Sequence, residues 1–169
     1  MAESRSLILA EPQSTREQGR RLARALQISL PPQLLIYLEG DLGAGKTTLA
    51  RGFLEGLGHT GRVPSPTYTL VEPYALSGYR VYHIDLYRVR DVRELEDLGL
   101  GEQLVPGAIA LIEWPDHGAG HLPPADIRVR MEIVPAGRVI DYEGLTAAGL
   151  DVLANLEPGN ARLSTLPAS

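Results

Sequence analysis

Gly40-Asp41-Leu42-Gly43-Ala44-Gly45-Lys46-Thr47 carries the spacing of a glycine, four residues, a second glycine, a lysine and a hydroxyl residue. Glycines at this spacing let backbone N–H groups close around phosphate oxygens, and a helix starting at the end of the loop adds its positive dipole end. In such a loop the Lys46 ammonium is expected to bridge the β- and γ-phosphates of ATP, and the Thr47 hydroxyl to hold Mg²⁺. Lys46 is also the only Lys among 16 Lys and Arg residues. A chain that otherwise uses Arg for positive charge has a specific use for a compact ammonium here.

A Mg²⁺ ion at such a loop needs a carboxylate at the tip of a neighbouring strand. Two candidates exist: Asp85, after Val81-Tyr82-His83-Ile84, and Glu113, after the apolar run Ala108 to Ile112. The alternative for each acid is a solvated residue or a helix cap. Val63-Pro64-Ser65-Pro66-Thr67-Tyr68 falls where segments that sense the γ-phosphate sit in many phosphate-loop proteins. The hydroxyls of Ser65 and Thr67 could reach phosphate, metal or water, or the two prolines could simply make a rigid loop. Trp114 reads equally as a packed loop aromatic or as a nucleotide or partner contact. The four His residues have no metal-ligand spacing and receive no catalytic role. Arg88 and Arg90 could supply charge to a transferred phosphoryl group, but ordinary surface ion pairs are the simpler reading.

These residues need elements to hold them. Leu34-Leu35-Ile36-Tyr37-Leu38 is apolar on both faces, as a strand inside a mostly parallel sheet must be, and it runs directly into Gly40. Thr47 to Leu57 predicts the following helix, with Leu49, Phe53, Leu54 and Leu57 at helical spacing and Gly58 as its stop. Upstream, Ser6 to Leu9 is extended. Ser14 and Glu17 then have the spacing of a capping box opening a helix that Pro31 and Pro32 end. Thr67 to Tyr74 and Tyr79 to Asp85 predict two strands joined by residues 75–78, and a short helix is expected near Val92 to Leu98. Ala108 to Glu113 is a second buried strand. Ile127 to Ile133 alternates apolar and charged residues, so it predicts a strand with one wet face that turns at Pro135 to Gly137 into Val139 to Tyr142. A last helix is expected over Thr146 to Leu156. The fold class that follows is α/β: a P-loop NTPase-like three-layer sandwich with a mixed, mainly parallel sheet and antiparallel additions. Residues 1–157 are read as one domain and 158–169 as a loose tail.

Composition narrows the function. The chain has 169 residues, enough for a core without staples, and no Cys, which removes disulfides and thiolate metal sites. A net charge of −5 argues against a whole-molecule attraction to nucleic acid, so any contact with RNA is expected to be indirect or local. Its longest apolar runs fall far short of the ~20 residues that span a bilayer, and a cytoplasmic protein is expected. A GTPase would need an Asn-Lys-x-Asp segment, which a chain with one Lys at 46 cannot supply. A small-molecule kinase would need an acceptor pocket and an Arg-bearing lid, for which Arg88 to Arg93 is a poor candidate. A binding module gated by nucleotide, with incidental hydrolysis, remains a distinct alternative.

Four blocks in order, residues 40–48 ending on Thr48, 65–72, 83–88 and 113–115, resemble the bacterial TsaE (YjeE) family, over roughly Leu7 to Tyr142. That resemblance implies a small ATPase of the pathway that makes threonylcarbamoyladenosine at adenosine 37 of tRNA. It implies that the chain binds the TsaB and TsaD proteins and supports their turnover without making the modification itself. Matched position by position, Thr47 and Glu113 fall on the family's Mg²⁺-binding positions and Asp85 on its second strand-end acid. Glu11 to Thr15 falls where the family approaches adenine.

Overall fold

The structure is a computed structural model that describes residues 3–100, 107–157, 159 and 162–163. Its centre is built from the two runs that are apolar on both faces. Strands β2 (Leu34–Gly40) and β5 (Ala108–Glu113) pair in parallel, Leu34 opposite Ile109 and Leu38 opposite Glu113. Successive side chains on each strand point to opposite faces and both faces are covered, so no position tolerates a charge until the strand ends. Strand β4 (Tyr79–Asp85) lies parallel to β5 on one side, and β6 (Ile127–Val134) parallel to β2 on the other. β3 (Val71–Leu76), β7 (Gly137–Gly144), β1 (Glu3–Leu9) and the two-residue β8 (Arg162–Leu163) are antiparallel additions, giving the order β3-β4-β5-β2-β6-β7-β1-β8.

One face is covered by α1 (Pro12–Ser29), α2 (Lys46–Gly56) and α4 (Ala147–Ala154), which bury Leu22, Leu26, Phe53, Leu54 and Val152 against Ile36, Leu38, Ile109 and Leu111. The other face carries a thinner layer. It holds the segment after β4, the five-residue helix α3 (Arg93–Asp97) and a 3₁₀ turn (Pro115–Gly118), packed on Leu35, Ile84, Ala110 and Ile112. Among the described residues no helix is long and apolar enough to cross a membrane.

Several expected boundaries move for identifiable reasons. The capping box at Ser14 and Glu17 is not used. α1 starts two residues earlier, with Pro12 in its first turn, where a fixed φ suits the helix and a missing N–H costs nothing. Glu17 pairs instead with Arg20, Arg21 and Arg24. Residues 67–70 turn rather than extend. β3 therefore starts at Val71 and runs to Leu76, and the hairpin closes through Ser77 and Gly78, both at positive φ. That two-residue, left-handed geometry matches the twist of the flanking strands. β3 lies at the edge of the sheet, with Pro73 opposite Tyr82 of β4. Within the tail expected to be loose, Arg162–Leu163 pairs with Leu7 and Ile8. The rest of that tail, Gly159 apart, lies outside the described residues.

Candidate nucleotide-binding site

The loop between β2 and α2 sits at the carboxyl ends of the parallel strands, the edge of such a sheet where ligands bind. Gly43 and Gly45 lie at φ 80° and 107°, conformations that a side chain would strain, and the Ala44 N–H closes the turn onto the Asp41 carbonyl at 3.0 Å. A Cβ on Gly45 would also lie only 3.2 Å from the Met131 side chain and 3.4 Å from Thr15. α2 begins at Lys46, so the N–H groups of its first turn have no intrahelical acceptor and face the loop.

An open cleft of about 370 Å³ lies over this loop. It is lined by Leu42, Gly43, Gly45, Lys46, Thr47 and Thr48 of the loop and helix start, by Ser65, Thr67, Asp85, Tyr87, Glu113 and Trp114, and by Pro12, Thr15 and Arg138. Gly40, Asp41 and Ala44 are not among its lining residues. The Gly40 and Asp41 carbonyls accept from Lys46 Nζ, the latter at 3.0 Å, and Ala44 is fully buried. Every residue singled out at the loop, on the two strand ends and at Thr15 and Thr67 is thus drawn to one place.

Lys46 is 5% exposed, and its ammonium lies 4.2 Å from the centre of the Trp114 ring. Burial pushes the ammonium below its usual range, while Glu113, Asp85, Asp41 and Asp116 pull it back. Trp114 holds this position from a left-handed backbone at φ 56°, an uncommon conformation for a non-glycine residue. Tyr87 and His117 pack against it with ring centroids at 5.0 and 5.5 Å.

Parallel pairing sets Asp85 opposite Glu113. The two acids differ in their partners. Thr47 Oγ1 donates to Glu113 at 2.9 Å, and His83 Nε2 lies 2.6 Å from the other Glu113 oxygen. Asp85 accepts from the Tyr87 N–H at 2.9 Å and from Thr67 Oγ1 at 3.4 Å, and Thr67 shares a hydrogen bond with Ser65 at 2.7 Å. Burial pushes the Asp85 carboxyl above the usual carboxylate range, the Tyr87 N–H opposes this, and Glu113 adds to it.

Sequence reasoning did not single out Arg138, which donates to the carbonyls of Ala44 at 2.8 Å and Gly43 at 3.1 Å. It comes from β7, 94 residues from Ala44, and no local pattern announces it. His83 was passed over for want of metal spacing, yet it touches Glu113. Arg88, read as a surface ion-pair residue, instead lies over the Tyr68 ring at 4.1 Å.

A parallel-centred sheet feeding a glycine loop into a helix, with acids on the two neighbouring strand tips, defines a P-loop NTPase-like α/β protein. The family described as "Threonylcarbamoyl adenosine biosynthesis protein TsaE" matches residues 9–139, and the chain belongs to it. The tRNA threonylcarbamoyladenosine biosynthesis protein TsaE of Haemophilus influenzae is 44% identical over 137 residues, covering 80% of this chain and 87% of that one. The protein of the same name from Streptomyces coelicolor is 38% identical over 138 residues, covering 80% and 90%. The crystal structure of Bacillus subtilis YdiB superposes with a TM-score of 0.72 at 26% identity, covering 92% of this chain and 95% of that one.

Proposed function

We propose that this protein binds ATP with Mg²⁺ in the cleft over residues 40–48, hydrolyses it slowly when alone, and uses that cycle to support the TsaB–TsaD complex in threonylcarbamoyladenosine formation. Family membership carries the pathway, and the resemblance noted above suggests the partners. The observation that carries the chemistry is the 2.9 Å contact between the Thr47 hydroxyl and Glu113 at the start of α2, beside the buried Lys46.

Among the described residues no group of three or more His, Cys, Asp or Glu could hold a metal by itself. One hydroxyl and one carboxylate side by side do suit Mg²⁺, which prefers oxygen ligands and is usually held by one or two carboxylates together with substrate phosphates. Thr47 and Glu113 would hold it, and when bound it would neutralise charge on the β- and γ-phosphates. Lys46 would exchange its two loop carbonyls for phosphate oxygens, and the loop N–H groups would orient the triphosphate. Asp85, which accepts from the Tyr87 N–H and from Thr67, would orient a water toward the γ-phosphate. Arg138, which lines the cleft, donates to loop carbonyls, and Arg88 lies over the Tyr68 ring. A cation at the transferred phosphoryl group is worth about 10³ to 10⁵ in rate, so turnover of the isolated protein should be slow.

Calorimetric titration with ATP and Mg²⁺ tests this. Tight binding is expected for the wild type and its loss in Lys46→Ala; equal affinity of the two proteins rejects the site.

A further inference from the structure

The geometry points to a role for a residue with no obvious chemistry. We propose that His83 is a positioning residue, whose ring N–H holds one oxygen of Glu113 so that the other is presented to Thr47 and to the cation those two would share. This rests on the Mg²⁺–nucleotide reading above.

His83 is fully buried, and its Nε2 lies 2.6 Å from Glu113 Oε2. A carboxylate has no hydrogen to give, so the ring is the donor and carries its proton on Nε2. The opposite nitrogen, Nδ1, is buried without a partner among the described residues. Among the described residues the ring therefore makes its one hydrogen bond with Glu113, and a proton on Nδ1 instead would leave a buried N–H unpaired. A histidine present only to fill the core could be replaced by an apolar side chain with less polar surface to bury.

The terminal torsion of a glutamate is broad, so the backbone alone does not fix which oxygen faces the cleft. Here both oxygens are assigned. Thr47 Oγ1 is nearer Oε1, at 2.9 Å, than Oε2, at 3.2 Å, and His83 takes Oε2. The support is rigid, because β4 and β5 pair in register with His83 opposite Leu111 and Asp85 opposite Glu113. Partners that hold a metal-binding carboxylate typically contribute 10- to 100-fold in metal affinity (about that range).

The test compares wild type, His83→Leu, His83→Asn and His83→Gln. Leu donates nothing, Asn is too short to reach Glu113, and Gln places an amide N–H at about the depth of Nε2. ADP affinity is measured by calorimetry with Mg²⁺ and with EDTA, alongside thermal unfolding without nucleotide. Leu and Asn should lower affinity in Mg²⁺ by about 10- to 100-fold and leave affinity in EDTA unchanged, with Gln recovering most of the loss. Equal losses in Mg²⁺ and EDTA, no loss, or a Gln variant as weak as Asn would overturn the proposal. If the Leu variant does not fold, the Asn and Gln pair decides. A wild type indifferent to Mg²⁺ would defeat the underlying reading of the site instead. The contact itself is then decided by the imidazole ¹H–¹⁵N spectrum. A deshielded Nε2 proton on His83 that moves in Glu113→Gln upholds it, and the lack of one overturns it.

Discussion

Lys46 donates to two carbonyls of its own loop and lies against the Trp114 ring, so on the proposed function an incoming triphosphate would have to win the ammonium from three neighbours. The chain has one Trp, and its ring rests against the charge that has to move. Intrinsic fluorescence should therefore change on adding ATP and Mg²⁺ and stay constant in Lys46→Ala; a silent Trp114 in the wild type would separate this ring from the binding event. Asp85 offers a second prediction. Burial raises its folded pKa above the unfolded value, so the folded state binds the proton more tightly. Stability from this group rises as pH falls through the raised value and levels off below the ordinary carboxylate range. Asp85→Asn should thus raise the melting temperature near neutral pH. The gap should close toward about pH 4. A gap that widens in acid contradicts the sign. At this scale the loop, both acids and Thr67 were legible because strand ends and glycine spacing are local. His83 and Arg138 were not, since their contacts depend on strand pairing across 30 and 94 residues.

The helix that presents Lys46 is held by glycines that look unhelpful in a helix. A Cβ on Gly52 would lie 1.9 Å from the Arg16 carbonyl oxygen, and one on Gly19 2.1 Å from that of Leu49, so α1 and α2 cross backbone against backbone. Gly52→Ala should force the helices apart and cost about 1–3 kcal/mol, lowering the melting temperature by about 2–4 °C per kcal/mol. It should also weaken ATP binding, because the phosphate loop is continuous with α2. A melting temperature equal to wild type would show that the crossing gives way freely. A glycine inside a helix is ordinarily a mild penalty, and nothing in the sequence of α2 says that another backbone lies against Gly52. β2 and β5, by contrast, were legible almost to the residue, because burial on both faces leaves an unbroken apolar run. The start of α1 was misjudged, because Pro12, two residues before Ser14, opens the helix instead.

For the whole molecule, nucleotide and partners are expected to act on one equilibrium. If ATP strengthens association with TsaB and TsaD, linkage requires those proteins to tighten ATP binding by the same factor. Measuring complex affinity with ATP, ADP and no nucleotide, and turnover with and without the partners, checks this; fast turnover alone, or an affinity indifferent to nucleotide, contradicts it. The way such partners can attach is constrained by the outer strand β3. In a hairpin closed by two residues, Leu76 and Tyr79 exchange hydrogen bonds, and pairs alternate from there. Pro73 and Tyr82 then form a pair that exchanges none, so the Pro73 nitrogen, which carries no hydrogen, faces away from β4. An arriving strand would meet a missing donor at the middle of the ladder. The sheet is thus poor at templating its own extension along that border. Polymerisation by strand addition is discouraged there, and association is left to side chains rather than to exposed backbone.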